Sequence, residues 1–272
     1  MSSTLFAASV EWRRKAGSML VLDPPIELLP DGAPGPRRFK IKAADTESRR
    51  GLVSSLLKGR YLWRGYRTAD LPANQPAQRF TLAAIEHPHT IGTITVAFDG
   101  AEMLSADDAF PNEVNALRSA GRRLCEFTKL AIDPTIGTKR VLAALFHVGY
   151  IVAHRLRGYD TLLIEVNPRH VRYYERMLGC RVLGEVRINR KVDAPAVLLT
   201  VDFAHIMSQI GEFGGRPETS ETERSLYPFA FSLTEEAGII TRLRQRYEHW
   251  LEEHKGVPAT DSDFQASDLM GL

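Results

Sequence analysis

Apolar and polar positions near the middle of the chain change period at one turn. RLCEFTKLAI (123–132) reads as a strand, and DPTIGT follows it. Val141, Leu145, Val148 and Val152 then recur every three or four residues, which predicts a helix from about Lys139 to Arg157. Upstream, RFKIKAA alternates as a strand does. Behind Asp45 or Thr46 as N-cap, Leu52, Val53, Leu56 and Leu57 mark one face of a helix. RFTLAAIEH and TIGTITVAF read as strands joined by the short turn HPHT, an antiparallel hairpin. In FPNEVNALRSAG, Pro111 stands at a first helical position and Gly121 just past the end.

Downstream, TLLIEV is nearly all apolar, as a strand covered on both faces is. RHVRYYERMLG predicts a short helix closed by Gly179, and RVLGEVRI and AVLLTVDF are the last two strands. A loop-rich stretch, 208–231, leads to a helix capped by Ser232 or Thr234. Its stripe is Ile240, Leu243, Tyr247 and Leu251, and Gly256 and Pro258 end it. The element order predicts a mixed α/β protein, with an N-terminal arm over 1–36, a central unit over 37–203 and an extension over 204–272.

Composition narrows the class. No apolar run approaches the ~20 residues of a membrane span, and the N-terminal stretch lacks the pattern of a secretory signal, so a cytoplasmic protein is expected. Cys125 and Cys180 have no metal or disulfide spacing and are expected as buried apolar residues. His147 and His154 are about 10.5 Å apart along one helix, too far to share an ion, so no metal is expected. Net charge is +2, yet residues 37–67 hold ten Lys/Arg against two Asp/Glu. That excess is either a solvated helix face or a dock for an anionic partner. Tyr61, Trp63 and Tyr66 lie inside it without any RNP-like or helix-turn-helix pattern, so no nucleic-acid partner is expected.

The chemistry gathers around Glu126 and the turn after it. Gly137 and Thr138, before a helix start bearing Lys139 and Arg140, form a candidate anion site. Strand alternation places Glu126, Thr128 and Leu130 on one face, with Phe127 and Lys129 on the other. A carboxylate on an apolar strand has two readings, a general base with a raised pKa or the partner of a neighbouring Arg. Tyr173 and Tyr174 either donate a proton or pack their helix onto the sheet. Arg169 and His170 open that helix beside a strand end, where ligands often bind in open sheets.

The order of elements, the turn TIGTKR and the stretch NPRHVRYYERMLGC, with Asn167, Tyr174, Gly179 and Cys180, resemble the Gcn5-related N-acyltransferase superfamily. EFTKLAID and the residues ahead of it, LSADDAFPNEVNALRSAGRRLCE, resemble the long-chain N-acyl amino acid synthases, relatives of the acyl-homoserine lactone synthases. Thr128 and Lys129 stand where those families carry Ser and Arg, and Cys180 where Phe is usual. The resemblance implies a splayed mixed sheet flanked by helices, with a C-terminal helical extension. It also implies transfer of a fatty acyl group from an acyl carrier protein thioester to the amine of an amino acid, with no permanently bound cofactor.

In that reading Glu126 takes the amine proton, Tyr174 or Tyr173 protonates the leaving thiolate, and the N–H near Leu130 meets the oxyanion. Thr128, Lys129, Asn167, Arg169, His170 and Trp63 meet the substrate, and Gly137, Thr138, Lys139 and Arg140 meet the donor's phosphopantetheine. Three other readings stand beside it: an acyl-homoserine lactone synthase, a coenzyme A-dependent acetyltransferase, and a non-catalytic module that binds acyl carrier protein. The C-terminal amphipathic helix is expected to pack on its own domain, with a homodimer interface second.

Overall fold

The computed structural model describes residues 39–62, 65–66, 71, 78–135 and 137–253, the last eight as backbone only. The arm over 1–36, Trp63, the side chains of Tyr247 and Leu251, and the predicted helix stop at Gly256 and Pro258 lie outside the described residues.

Eight strands form one mixed sheet. They are β1 (Lys40–Ala43), β2 (Arg79–Glu86), β3 (His89–Phe98), β4 (Leu124–Ile132), β5 (Thr161–Val166), β6 (Arg181–Val182), β7 (Arg187–Asn189) and β8 (Ala194–Asp202). Their order is β1-β2-β3-β4-β5-β8-β6, and β7 also pairs with β8. The helices are α1 (Glu47–Leu62), α2 (Ala106–Ala109), α3 (Pro111–Ser119), α4 (Lys139–Tyr150), α5 (Val171–Leu178), α6 (Phe203–Phe213) and α7 (Leu233–Glu253). The sole parallel pair among the described strands is β4–β5, because the chain crosses over between them through α4. One face of the sheet packs on α4, α6 and α7. The other carries α1 and the α2–α3 pair in two smaller clusters.

Two features of β4 build the site. Its pairing with β5 covers only Leu124–Glu126 against Thr161–Leu163, although both strands run on, so they part beyond Glu126. Against β3, Thr95 pairs with Thr128 but Thr93 pairs with Ala131, so one extra residue bulges out at Lys129, whose φ is 49°. Strict alternation therefore fails here. Glu126, Thr128 and Ala131 share the face of Ala97, Thr95 and Thr93, while Leu130 falls on the α4 side with Phe127. This corrects the expected grouping of Leu130 with Glu126 and Thr128, and that of Lys129 with Phe127, since Lys129 lines the same cleft as Glu126. No glycine marks the bulge, so local sequence carries no sign of it.

Elsewhere the sequence expectations shift at element ends. Leu52 is 43% exposed, leaving Val53 and Leu57 as the buried stripe of α1. Thr46 caps that helix, its Oγ1 accepting from the Arg49 N–H at 3.3 Å. The long helix is α-helical to Tyr150 and continues as a π-turn over Ile151–Leu156. RVLGEVRI divides into β6 and β7. The stretch expected as loop from 208 instead lies within α6 to residue 213, with Phe203, Ile206 and Ile210 buried at helical spacing.

Residues 203–243 join the main core. Leu226, Tyr227, Phe231, Ile239, Ile240 and Leu243 are buried in the same cluster as α4 and the sheet. A buried polar pin aligns them. The Phe231 N–H donates to His147 Nδ1 at 3.0 Å, which leaves the ring proton on Nε2, facing Glu236 Oε2 of α7 at 3.2 Å. Arg155 reaches the other oxygen of Glu236 at 3.4 Å. Among the described residues no helix is long and apolar enough to cross a membrane, and none of their His, Cys, Asp and Glu groups is arranged to hold a metal ion. Cys125 and Cys180 are buried and unpaired.

Candidate active site

A cleft of about 380 Å³ opens where β4 and β5 part, on the sheet face opposite α4. Glu126, Thr128 and Lys129 line it from β4, Glu165 and Val166 from β5, and Asn167 from the residue after β5. Asn189, Lys191 and Pro195 close it from the β7–β8 side. Tyr61 and Tyr66, packed edge to face at 5.6 Å, close it from the end of α1. The splay and the bulge together make this opening: continued pairing of β4 with β5 would fill it with backbone.

Glu126 is fully buried. Its Oε2 accepts the Ser105 N–H at 2.6 Å, and its Oε1 is buried with no hydrogen-bond partner among the described residues. Burial, and then the charge of Glu165, push the Glu126 carboxyl up to about 8, against the pull of the Ser105 N–H and of the Arg79 and Lys191 cations. No described Arg forms an ion pair with it, although the Arg79 charge bears on it. The Ser105 loop is itself anchored. Asp107 accepts the Leu104 N–H at 2.8 Å, and Arg118 of α3 clamps Asp107 and Asp99 through contacts of 2.6–2.8 Å.

Glu165 escaped the sequence reading, although it carries the same signal as Glu126, one acidic residue in an apolar strand. Its carboxyl is also raised by burial, and its Oε2 accepts from Asn189. Ser105, Asn189 and Lys191 were missed as well, since each reaches the cleft from a loop or edge with no pattern of its own.

The other sequence candidates divide between the cleft and the far side of the splay. Asn167 caps the turn Pro168–His170, accepting from the Arg169 N–H at 3.3 Å, and donates to the Pro195 carbonyl at 3.3 Å. Arg169 is exposed and points its Nε at His170 Nε2, 3.2 Å away. Tyr173 and Tyr174 pack edge to face at 5.4 Å, and Tyr174 lies 6.4 Å from the Phe146 ring. Both tyrosines sit on the α4-side core rather than in the cleft. Burial raises the Tyr173 hydroxyl pKa, so it keeps its proton at neutral pH.

The turn before α4 is tightly wound. A Cβ at Gly137 would lie 2.0 Å from Ile132 Cγ2 and 2.5 Å from the Asp133 carbonyl, so no larger residue fits there. The Gly137 N–H donates to that carbonyl at 2.8 Å, and the Thr138 hydroxyl caps α4 at Val141 N. Lys139 opens α4, and Arg140 is buried, which lowers its pKa.

Residues 53–202 match the family model described as N-acyl amino acid synthase FeeM. The chain belongs to this family. Among curated proteins, none matches it. The solved structure of FeeM, an N-acyl amino acid synthase from uncultured soil microbes, is 24% identical over 63% of this chain and 94% of that one, with a TM-score of 0.55. The acyl-homoserine lactone synthases are more remote. BjaI, solved with S-adenosylmethionine and isopentyl-CoA, is 13% identical over 58% and 75% of the two chains (TM-score 0.43). LasI is 12% identical over 61% and 89% (TM-score 0.42). This member of the FeeM family is an N-acyltransferase with the mixed, splayed sheet of Gcn5-related acyltransferases. The family match ends at residue 202, at the last residue of β8, whereas the core of the protein continues through α6 and α7.

Proposed function

We propose that the protein transfers a long-chain fatty acyl group from an acyl carrier protein thioester to the amine of an amino acid. The observation that carries this reading is a buried carboxylate, Glu126, with one oxygen that has no partner among the described residues, where β4 and β5 part. An amino acid amine is protonated at neutral pH and attacks only after losing a proton. A carboxyl raised to about 8 is closely matched to that task. The free amine attacks the thioester carbon, and the oxyanion that forms is met by the N–H near Leu130, where the bulge at Lys129 breaks the ladder with β3. Collapse expels the thiolate, Tyr174 or Tyr173 gives it a proton from the opposite sheet face, and the surplus proton on the new amide nitrogen restores the tyrosine hydroxyl.

Thr128, Lys129 and Asn167 line the acceptor cleft in this scheme, with Arg169, His170 and Trp63 as further substrate contacts. The donor arm enters through the splay, and its phosphate rests on the turn at Gly137, Thr138, Lys139 and Arg140. Because the Gly137 N–H is bound to Asp133, the hydrogen bonds to phosphate fall to the residues that follow. The test is mass spectrometry of lipid extracts from cells making the protein, against cells carrying an empty vector. New N-acyl amino acids are expected, and their absence with every amino acid supplied would refute the reading.

The donor is testable separately. In the basic stretch Arg49 is tied to Asp45 and the Ala43 carbonyl, and Arg50 to the Asp45 carbonyl, so both serve the turn before α1. Lys58 is exposed and Arg60 partly so, and both stand on α1 within the same basic stretch. Reversing both charges to Glu is expected to weaken binding of acyl carrier protein roughly tenfold and to flatten its salt dependence in a titration. A faster reaction with acyl-coenzyme A, indifferent to salt, would rule the carrier protein out.

A further inference from the structure

The scheme above uses one buried carboxylate, but the cleft holds two. Glu126 pairs in register with Leu163, so Glu165 is its diagonal neighbour two residues further along β5, on the same face. Each carboxylate is held by one oxygen only: Ser105 N–H binds Oε2 of Glu126, and Asn189 binds Oε2 of Glu165. In both, Oε1 is buried in the cleft lining with no hydrogen-bond partner among the described residues. Two buried carboxyl oxygens on one cleft, each without a donor among the described residues, form a seat for a small cation with several N–H groups. Other charges already bear on the pair. Arg79 and Lys191 draw Glu126 down, Lys191 and the Asn189 contact draw Glu165 down, and Asp108 pushes Glu165 up. None of these groups donates to either Oε1.

We propose that Glu165 is a second binding residue for the acceptor, its Oε1 and that of Glu126 receiving N–H bonds from the same ammonium group. The assignment rests on the acyl-transfer reading. One N–H bond of the ammonium breaks, and its proton goes to Glu126 Oε1. The electron pair left on nitrogen attacks the thioester carbon. Glu165 keeps its charge and holds a remaining N–H, which aims the lone pair at the thioester. After attack Tyr174 or Tyr173 protonates the departing thiolate and is restored by the nitrogen's surplus proton, while Glu126 returns its own proton to water. Glu165 also acts through Glu126, since a negative neighbour makes that carboxyl a stronger proton acceptor.

The experiment uses the full chain and two variants, Glu165→Gln, which keeps an oxygen for Asn189, and Glu165→Asp, which keeps the charge. In Glu165→Gln the KM for the amino acid is expected to rise roughly ten- to a hundredfold, with the donor KM unchanged. The rise of kcat/KM with pH should move to lower pH, because a like charge beside Glu126 is gone. Glu165→Asp should recover part of both effects. An unchanged acceptor KM and pH profile in folded Glu165→Gln would overturn the proposal while leaving acyl transfer standing. A readout free of activity separates the two ideas further. With carboxyl carbons labelled, added methylammonium should shift both the Glu126 and Glu165 resonances, and the Glu126 titration midpoint should fall in Glu165→Gln. If those shifts occur although no N-acyl amino acid is ever made, the cation seat stands and the acceptor reading falls. If methylammonium moves neither resonance and the midpoint stays put, the pair binds no ammonium and the proposal is lost.

Discussion

Glu126→Gln is expected to lower turnover by about 10²–10⁴-fold while the protein stays folded. The substitution keeps the shape of the side chain and an oxygen for the Ser105 N–H, and removes only the basicity. The wild-type pH profile carries the same signature. A general base works ionised, and with its carboxyl at about 8 only about a tenth of Glu126 is ionised at pH 7. The kcat/KM of the wild type should therefore climb through pH 7 and level above about 8, and Glu126→Gln should lose that limb.

Stability should run the other way. The folded carboxyl is raised from 4.5 to about 8, so between those values the native state holds a proton that the unfolded chain has released. Stability then falls as pH rises through that window. Glu126→Gln removes the liability, and its melting temperature should exceed that of the wild type at pH 8 and above. A variant with near-normal turnover across neutral pH would take Glu126 out of the mechanism.

Truncation after Ser232 is expected to lower the melting temperature by on the order of 10 °C. The cut removes Ile239, Ile240 and Leu243, each nearly or fully buried in the main core. At about 1.5–3 kcal/mol for each side chain, the lost burial alone amounts to about 5 kcal/mol or more. It also removes Glu236, leaving the buried His147 Nε2–H without its acceptor. Calorimetry checks the loss, and the single change Leu243→Ala should reproduce about 2–5 kcal/mol of it if truncation prevents folding. A truncated protein that melts with the wild type would show that α7 adds nothing to the fold.

These predictions depend unequally on what the residues disclose in a line. The hairpin of β2 and β3, the helix α4 after β4 and the cap at Thr46 follow from periods of two and 3.6 and from turn chemistry, all of which act between near neighbours. Glu126 stood out for the same kind of reason, a charge in an apolar strand where neighbours alone made it anomalous. Glu165 showed the identical anomaly, but its meaning depends on pairing register. Only the alignment of Glu126 with Leu163 sets the two carboxylates side by side in one cleft. The stripe of Phe203, Ile206 and Ile210 was present as well, yet a strand running directly into a helix hid where one period ended and the next began.

By itself, then, the sequence determined the mixed α/β class, the order of strands and helices from β1 through α5, and the placing of Glu126 on a strand beside a helix-opening turn. Those properties arise from short-range patterns of burial and hydrogen bonding. The tertiary structure alone decided where β4 leaves β5, how Lys129 bulges to turn Leu130 away from Glu126, and which loops bring Ser105, Asn189 and Lys191 to the cleft. It also decided that α7 is pinned to α4 through Glu236 and His147. Each of these is a contact between segments far apart in the chain, fixed by the packing of the whole sheet and not by any neighbour in sequence.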